Sequence, residues 1–237
     1  GDPARLVLGG NAEPDELAAV RAELGLDQPI HVQYYRWMAD LARGDLGDSI
    51  YTGQSVVASI AGAAEPTLSI GLVGISIAIL IAIPAGVVSA TRRDRWEDYV
   101  ATGVAFLGIS MPSFWIGIVL LLTVGTAIPA IPSYGYASIS EGVIPWLSHV
   151  LLPAAAVGLP YAGIITRMTR SSMLEVLSED YMQTARAKGL PPRLILFKHG
   201  LQNALMPVVT VAGILFALLL GGIVAVEMVF GVQGFGR

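Results

Sequence analysis

Val211-Ala212-Gly213-Ile214-Leu215-Phe216-Ala217-Leu218-Leu219-Leu220-Gly221-Gly222-Ile223-Val224-Ala225-Val226 closes a run of 26 residues, 201–226, without an Asp, Glu, Lys or Arg. An α-helix rises 1.5 Å per residue, so about 20 apolar residues cross a hydrocarbon layer of about 30 Å. Three more such runs, 66–91, 99–140 and 142–166, hold 26, 42 and 25 residues. They predict spans near 67–90, 100–126, 148–168 and 203–226. In the longest run, Ile128-Pro129-Ala130-Ile131-Pro132-Ser133-Tyr134-Gly135-Tyr136 leaves too little for a second crossing. Residues 128–147 read as an interfacial loop, with Tyr134, Tyr136 and Trp146 at headgroup level.

The whole chain agrees. Of 237 residues, 54% are hydrophobic and only 14% charged, against about 25% in soluble domains. Disorder and a free-standing soluble enzyme are excluded. The net charge of −4 argues against a nucleic-acid partner. The chain has no cysteine, hence no disulfide or thiolate site. The fold class is all-α, a polytopic transmembrane bundle in contact with lipid. The chain opens on Gly1-Asp2-Pro3 and stops at Phe235-Gly236-Arg237, as a fragment of a longer membrane protein would.

Charge orients the spans. Segment 1–65 carries four Arg against ten acids, whereas nine of the 14 basic residues fall in loops 91–98 and 167–200. The positive-inside rule puts those two loops in the cytoplasm and residues 1–65, 128–147 and 228–237 outside. Two domains follow: an external helical segment, 1–65, and a membrane domain, 66–237, with a cytoplasmic loop at 169–200. Within the first, Pro14 opens a helical pattern with Leu17, Val20 and Leu24 on one face, ended by Gly25. Pro29 opens another, with Ile30, Tyr34, Trp37, Met38 and Leu41 on one side and Gly44 beyond it. Together they predict a small external cap.

Catalysis has weak candidates. Ser110 lacks the following glycine of a nucleophile elbow, and His149 reads as an interfacial or packing residue. His31, His149 and His199 show no metal-ligand spacing. An ion-coupled carrier is the alternative function, but intramembrane charge is nearly absent. Glu227 reads as an interfacial carboxylate at the end of the last span. Pro84, Pro112, Pro153 and Pro160 are candidate bends. Ser110, Ser113 and Thr123 are candidates for the wall of a translocation path, with bonding back to their own helix as the competing role.

The second informative stretch is Ser178-Glu179-Asp180-Tyr181-Met182-Gln183-Thr184-Ala185-Arg186-Ala187-Lys188-Gly189-Leu190-Pro191-Pro192. Ser178 is a candidate N-cap, and Glu179 and Asp180 suit the positive helix end. Arg186 and Lys188 suit the C-terminus, Gly189 the left-handed cap. This predicts a short helix outside the membrane, on which small Ala185 and Ala187 permit close approach.

Thr184-Ala185-Arg186-Ala187-Lys188-Gly189 resembles the EAA loop of ABC importer permeases, in the dipeptide/oligopeptide version. The family's Glu-Ala-Ala falls on Gln183, Thr184 and Ala185. Gln183 replaces the glutamate, and His199-Gly200 replaces a later Leu-Pro; peptide-type members differ at these same places. Leu24-Gly25-Leu26-Asp27-Gln28-Pro29, Gly44-Asp45-Leu46-Gly47, Ser110-Met111-Pro112-Ser113-Phe114-Trp115 and Phe230-Gly231-Val232-Gln233-Gly234-Phe235-Gly236 resemble other segments of that family, in order. The resemblance implies a permease subunit in a bacterial inner membrane, with four of the usual six spans here. It further implies a second permease, two cytoplasmic ATPases that bind ATP and Mg, and an external substrate-binding protein. The chain itself would be no enzyme and hold no metal or cofactor. Asp180, Gln183, Thr184, Ala185, Arg186, Ala187, Lys188 and Gly189 would form the coupling helix that docks on an ATPase.

Overall fold

The computed structural model describes residues 3–8, 13–50 and 52–236. Gly1, Asp2 and Arg237, cited above for the chain's ends, lie outside that set. Contacts divide the chain into two compact units, 1–63 and 64–237.

The first unit holds α1 (Pro3–Leu8), α2 (Pro14–Glu23) and α3 (Ile30–Ala42). The last two end where the sequence predicts, with Gly25 and Gly44 at positive φ. Neither helix has a buried residue. On α3, Ile30, Tyr34, Trp37 and Met38 are exposed, so the apolar face expected to build a cap is open.

The second unit is a helical bundle. Its first long helix, α4 (Val56–Thr91), begins in the first unit. A turn leads into α5 (Trp96–Ser110) and α6 (Ser113–Leu120), which runs on as a π-helical stretch, Leu121–Gly125. A loop then leads to α7 (Val143–Ser178) and the short α8 (Asp180–Ala187). From Pro192 to Gly222 one rod comprises α9 (Pro192–Leu194), a π-helical stretch (Ile195–Leu201) and α10 (Gln202–Gly222). Last comes α11 (Val224–Phe230).

Three rods are long and apolar enough to cross a membrane, and the bent pair α5–α6 has the length and composition of a broken span or of a re-entrant loop. The helices overrun the predicted spans: α4 starts at 56, not 67, and α7 covers 143–178, not 148–168. A charge-free run marks only what must sit in hydrocarbon, whereas backbone hydrogen bonding continues past it. Trp146 therefore belongs to α7, not to the loop.

The second crossing is not straight. α5 and α6 meet at 104° across Met111-Pro112. Proline at 112 has no N–H to donate and pushes Met111 to extended backbone, φ −96°, ψ 130°. Pro84, Pro153 and Pro160, also expected as bends, lie inside unbroken helices.

The buried clusters fix the directions. One joins Ile70, Val150, Val157 and Leu219; the next Ala78, Ala82, Ile165 and Val208; the last Val87, Ala90, Met173 and Ala204. Numbers rise along α4 and α7 and fall along α10, so α4 and α7 are parallel and α10 returns between their ends. Packing is close because small residues meet at the crossings. A Cβ on Gly158 would stand 2.4 Å from the Gly74 carbonyl oxygen, and one on Gly163 2.4 Å from that of Ala105.

Candidate functional site

At the end of the bundle that carries the basic loops, α7 stops at Ser178 and the chain turns into α8. Glu179, not Ser178, takes the N-cap place, with φ −66° and ψ 148°. The Ser178 hydroxyl instead donates back to the Glu175 carbonyl at 2.7 Å. Asp180 stands in the first turn and Arg186 in the last, both favourable to the helix dipole. The exit is a Schellman turn. Gly189, at φ +73°, donates its N–H to the Arg186 carbonyl at 2.9 Å, and Leu190 donates to Ala185 at 3.3 Å. Pro191 and Pro192 then start the next rod.

The short helix is two-faced. Met182 and Ala185 are buried, packed with Leu177, Leu190 and Ile195. Asp180, Gln183, Thr184, Arg186, Ala187, Lys188 and Gly189 are exposed. Ala185, expected on the docking surface, therefore faces the bundle, because its spacing from Met182 puts both on one side. The Asn203 amide of α10 donates to the Tyr181 hydroxyl at 3.1 Å. Beside the helix lies an open cavity of about 540 Å³ lined by Thr91, Leu177, Arg186, Leu190, Ile195 and Leu196.

Higher on α7 stands an ion pair, buried on its carboxylate side and half-buried on its arginine side, that the sequence alone did not single out. Arg170 of α7 donates through Nε to Asp98 Oδ1 at 2.7 Å and through a terminal nitrogen to Oδ2 at 2.8 Å. Asp98 is 3% exposed. It also accepts from the Ser89 hydroxyl of α4 and, at 3.0 Å, from the Asp94 backbone N–H. The available signal was an acid and an arginine just beyond the ends of two predicted spans on the basic side.

The opposite end has its own polar ties. Glu65 of α4 accepts from Tyr136 at 3.0 Å, from Ser138 at 2.9 Å and from the Ile139 N–H at 2.9 Å. Burial pushes the Tyr136 phenol above its ordinary pKa, so it stays a donor. Trp146 Nε1 donates to Ser69 at 3.1 Å. Glu227, expected at the interface end of the last span, is fully buried within the bundle. It accepts from the Thr67 hydroxyl and, at 2.8 Å, from the Gly236 N–H, and so pins segment 231–236 to α4.

Of the expected path residues, Ser110 donates to Phe106 at 2.8 Å and Thr123 to Val119 at 2.6 Å, both within their own helices. Ser113 is half-buried at the start of α6. His149 Nδ1 lies 2.8 Å from the Pro145 carbonyl oxygen of its own helix. Among the described residues no group of His and acidic side chains is placed to hold a metal ion.

Residues 82–237 match the family described as binding-protein-dependent transport system inner membrane component, and residues 1–70 match the N-terminal part of such membrane components. A probable peptide ABC transporter permease of Sinorhizobium fredii is 41% identical over 237 residues, all of this chain and 76% of that protein. A putative peptide transport system permease of Brucella suis matches at the same identity and coverage. A glutathione transport system permease of Salmonella paratyphi A is 41% identical over the whole chain and 75% of its own length.

Proposed function

The chain belongs to the binding-protein-dependent transport system inner-membrane components, and on that premise we propose that it forms, with a second permease, the path of a peptide-importing ABC transporter. Peptides and the tripeptide glutathione are the cargo of the similar permeases, which supports a small peptide as solute. In this reading an external binding protein delivers the solute, and two cytoplasmic ATPases bind ATP and Mg.

The observation that carries the proposal is α8. Its apolar face is fastened to α7 and to the next rod, and its polar face is open. A helix so held turns a push on its outer face into movement of two membrane-crossing rods. Asp180, Gln183, Thr184, Arg186, Ala187 and Lys188 supply that face, and Gly189 sets its angle. Alternating access then needs only a docking partner whose contacts differ between two states.

The test is isolation of the complex in mild detergent from the native host, followed by reconstitution. Two ATPase subunits should accompany the chain, and glutathione or tripeptide uptake should require ATP. Arg186→Glu combined with Lys188→Glu should release the ATPases while the chain remains in the membrane. A complex without ATPases, with uptake abolished by a proton ionophore, would instead establish an ion-coupled carrier.

A further inference from the structure

We infer that Asp98 is a positioning residue: through Arg170 it makes the α4–α5 turn follow the coupling helix. This rests on the function proposed above. Three parts of the fold converge on one carboxylate. Ser89 brings the end of α4, the Asp94 N–H brings the turn, and Arg170 brings α7. Arg170 lies eight residues before the end of α7 at Ser178, about 12 Å along an unbroken helix. The coupling helix follows at once and is fastened to α7 by Leu177, Met182 and Ala185.

Elsewhere at this level α4 packs on α7 and α10 through small and apolar groups: Val87 and Ala90 meet Met173 and Ala204, and Gly86 lies against Thr169. None of these contacts involves the turn at 92–95. A guanidinium fork on a carboxylate is directional and fixes register. A buried ion pair adds little net stability over a well-packed apolar pair. What Asp98 and Arg170 supply is therefore a fixed relation between the turn and α7.

An apolar replacement of the pair separates that role from simple stability. In Asp98→Leu/Arg170→Met the helices stay packed but the fork is gone. The chain contains no cysteine, so spin labels can be placed at Arg93 and at Glu179, the exposed N-cap of α8 outside its docking face, in the complete reconstituted complex. Distances are measured by pulsed EPR, without nucleotide and after trapping with ATP and vanadate. In the otherwise wild-type protein the 93–179 distance should be the same in both states. In the double variant a second distance should appear on trapping. The ratio of tied to untied populations should fall about 2- to 30-fold, the span by which substitutions in coupling networks shift an equilibrium. A wild-type distance that changes on trapping overturns the inference, as does a double variant that keeps the single wild-type distance.

If the double variant does not assemble, Ser89→Ala carries the test, since it keeps the ion pair and removes only the bond of α4 to Asp98. A label at Val88 should then lose its fixed distance to 179, while one at Tyr99 on α5 keeps it. An unchanged 88–179 distance overturns the tie to α4. Wild-type material without ATPase subunits defeats the proposed function; ATPases present with an indifferent ion pair defeat only this inference.

Discussion

Gly189 shows how much one residue sets. Its φ of +73° closes the Schellman turn, and a Cβ there would meet nothing within 4 Å. Substitution thus acts through backbone strain alone, on the order of 1–3 kcal/mol for a β-branched residue. Asparagine visits the left-handed region readily. Gly189→Val should reach the membrane in normal amount yet lose ATP-driven uptake, whereas Gly189→Asn should retain most of it. Equal uptake by both, in reconstituted complexes, would show that the angle of α8 is immaterial. At the other end, Glu227 accepts from Thr67 and from the Gly236 N–H. Glu227→Gln puts an amide NH₂ against one of those donors, at a cost of roughly 1–3 kcal/mol. A lower unfolding temperature in detergent should follow, with uptake still driven by ATP. Total loss of uptake with normal assembly would instead make Glu227 an ion-coupling group.

At the scale of elements the decisive pair is α5–α6. A helix broken at 104° can cross or can return to its starting side. Its contacts with α7 answer this: Asp98 meets Arg170, Gly163 packs on Ala105, Gly108 on Leu159, Gly117 on Ala156, and Gly125 on Leu152. They progress in one direction along α7, and α4 and α7 are parallel, so the pair crosses. Cysteines at Asp94 and Ser140 should react with an impermeant reagent from opposite sides of the membrane. Reaction from one side only would make the pair re-entrant. The α4–α7 crossing is as demanding, since a Cβ on Gly158 would press on the Gly74 carbonyl. Gly158→Leu should force the helices apart and cost assembly, read as loss of the monodisperse peak in detergent. Retention of that peak at the wild-type unfolding temperature would contradict the packing.

For the whole molecule, sidedness follows from charge. In intact spheroplasts a cysteine at Thr52 should be labelled from outside and one at Ser178 should not. The reverse would invert the bundle and remove α8 from the ATPase side. That prediction rests on the arginines and lysines of two loops alone.

The sequence by itself determined the all-α membrane class, the apolar runs that became the long helices and the place of α8, and it predicts their orientation. Each follows from local composition: charge-free length, loop charge, and a glycine before two prolines. The family likeness was legible in the same short motifs. Only the tertiary structure decided that the second crossing is broken, that Pro84, Pro153 and Pro160 leave their helices whole, and that Ala185 faces inward. It also revealed Asp98 with Arg170 and buried Glu227. These depend on which residues distant in the chain meet, such as Asp98 with Arg170 or Thr67 with Glu227. Apolar periodicity is silent on that in a membrane, where lipid-facing and partner-facing helix surfaces are equally apolar.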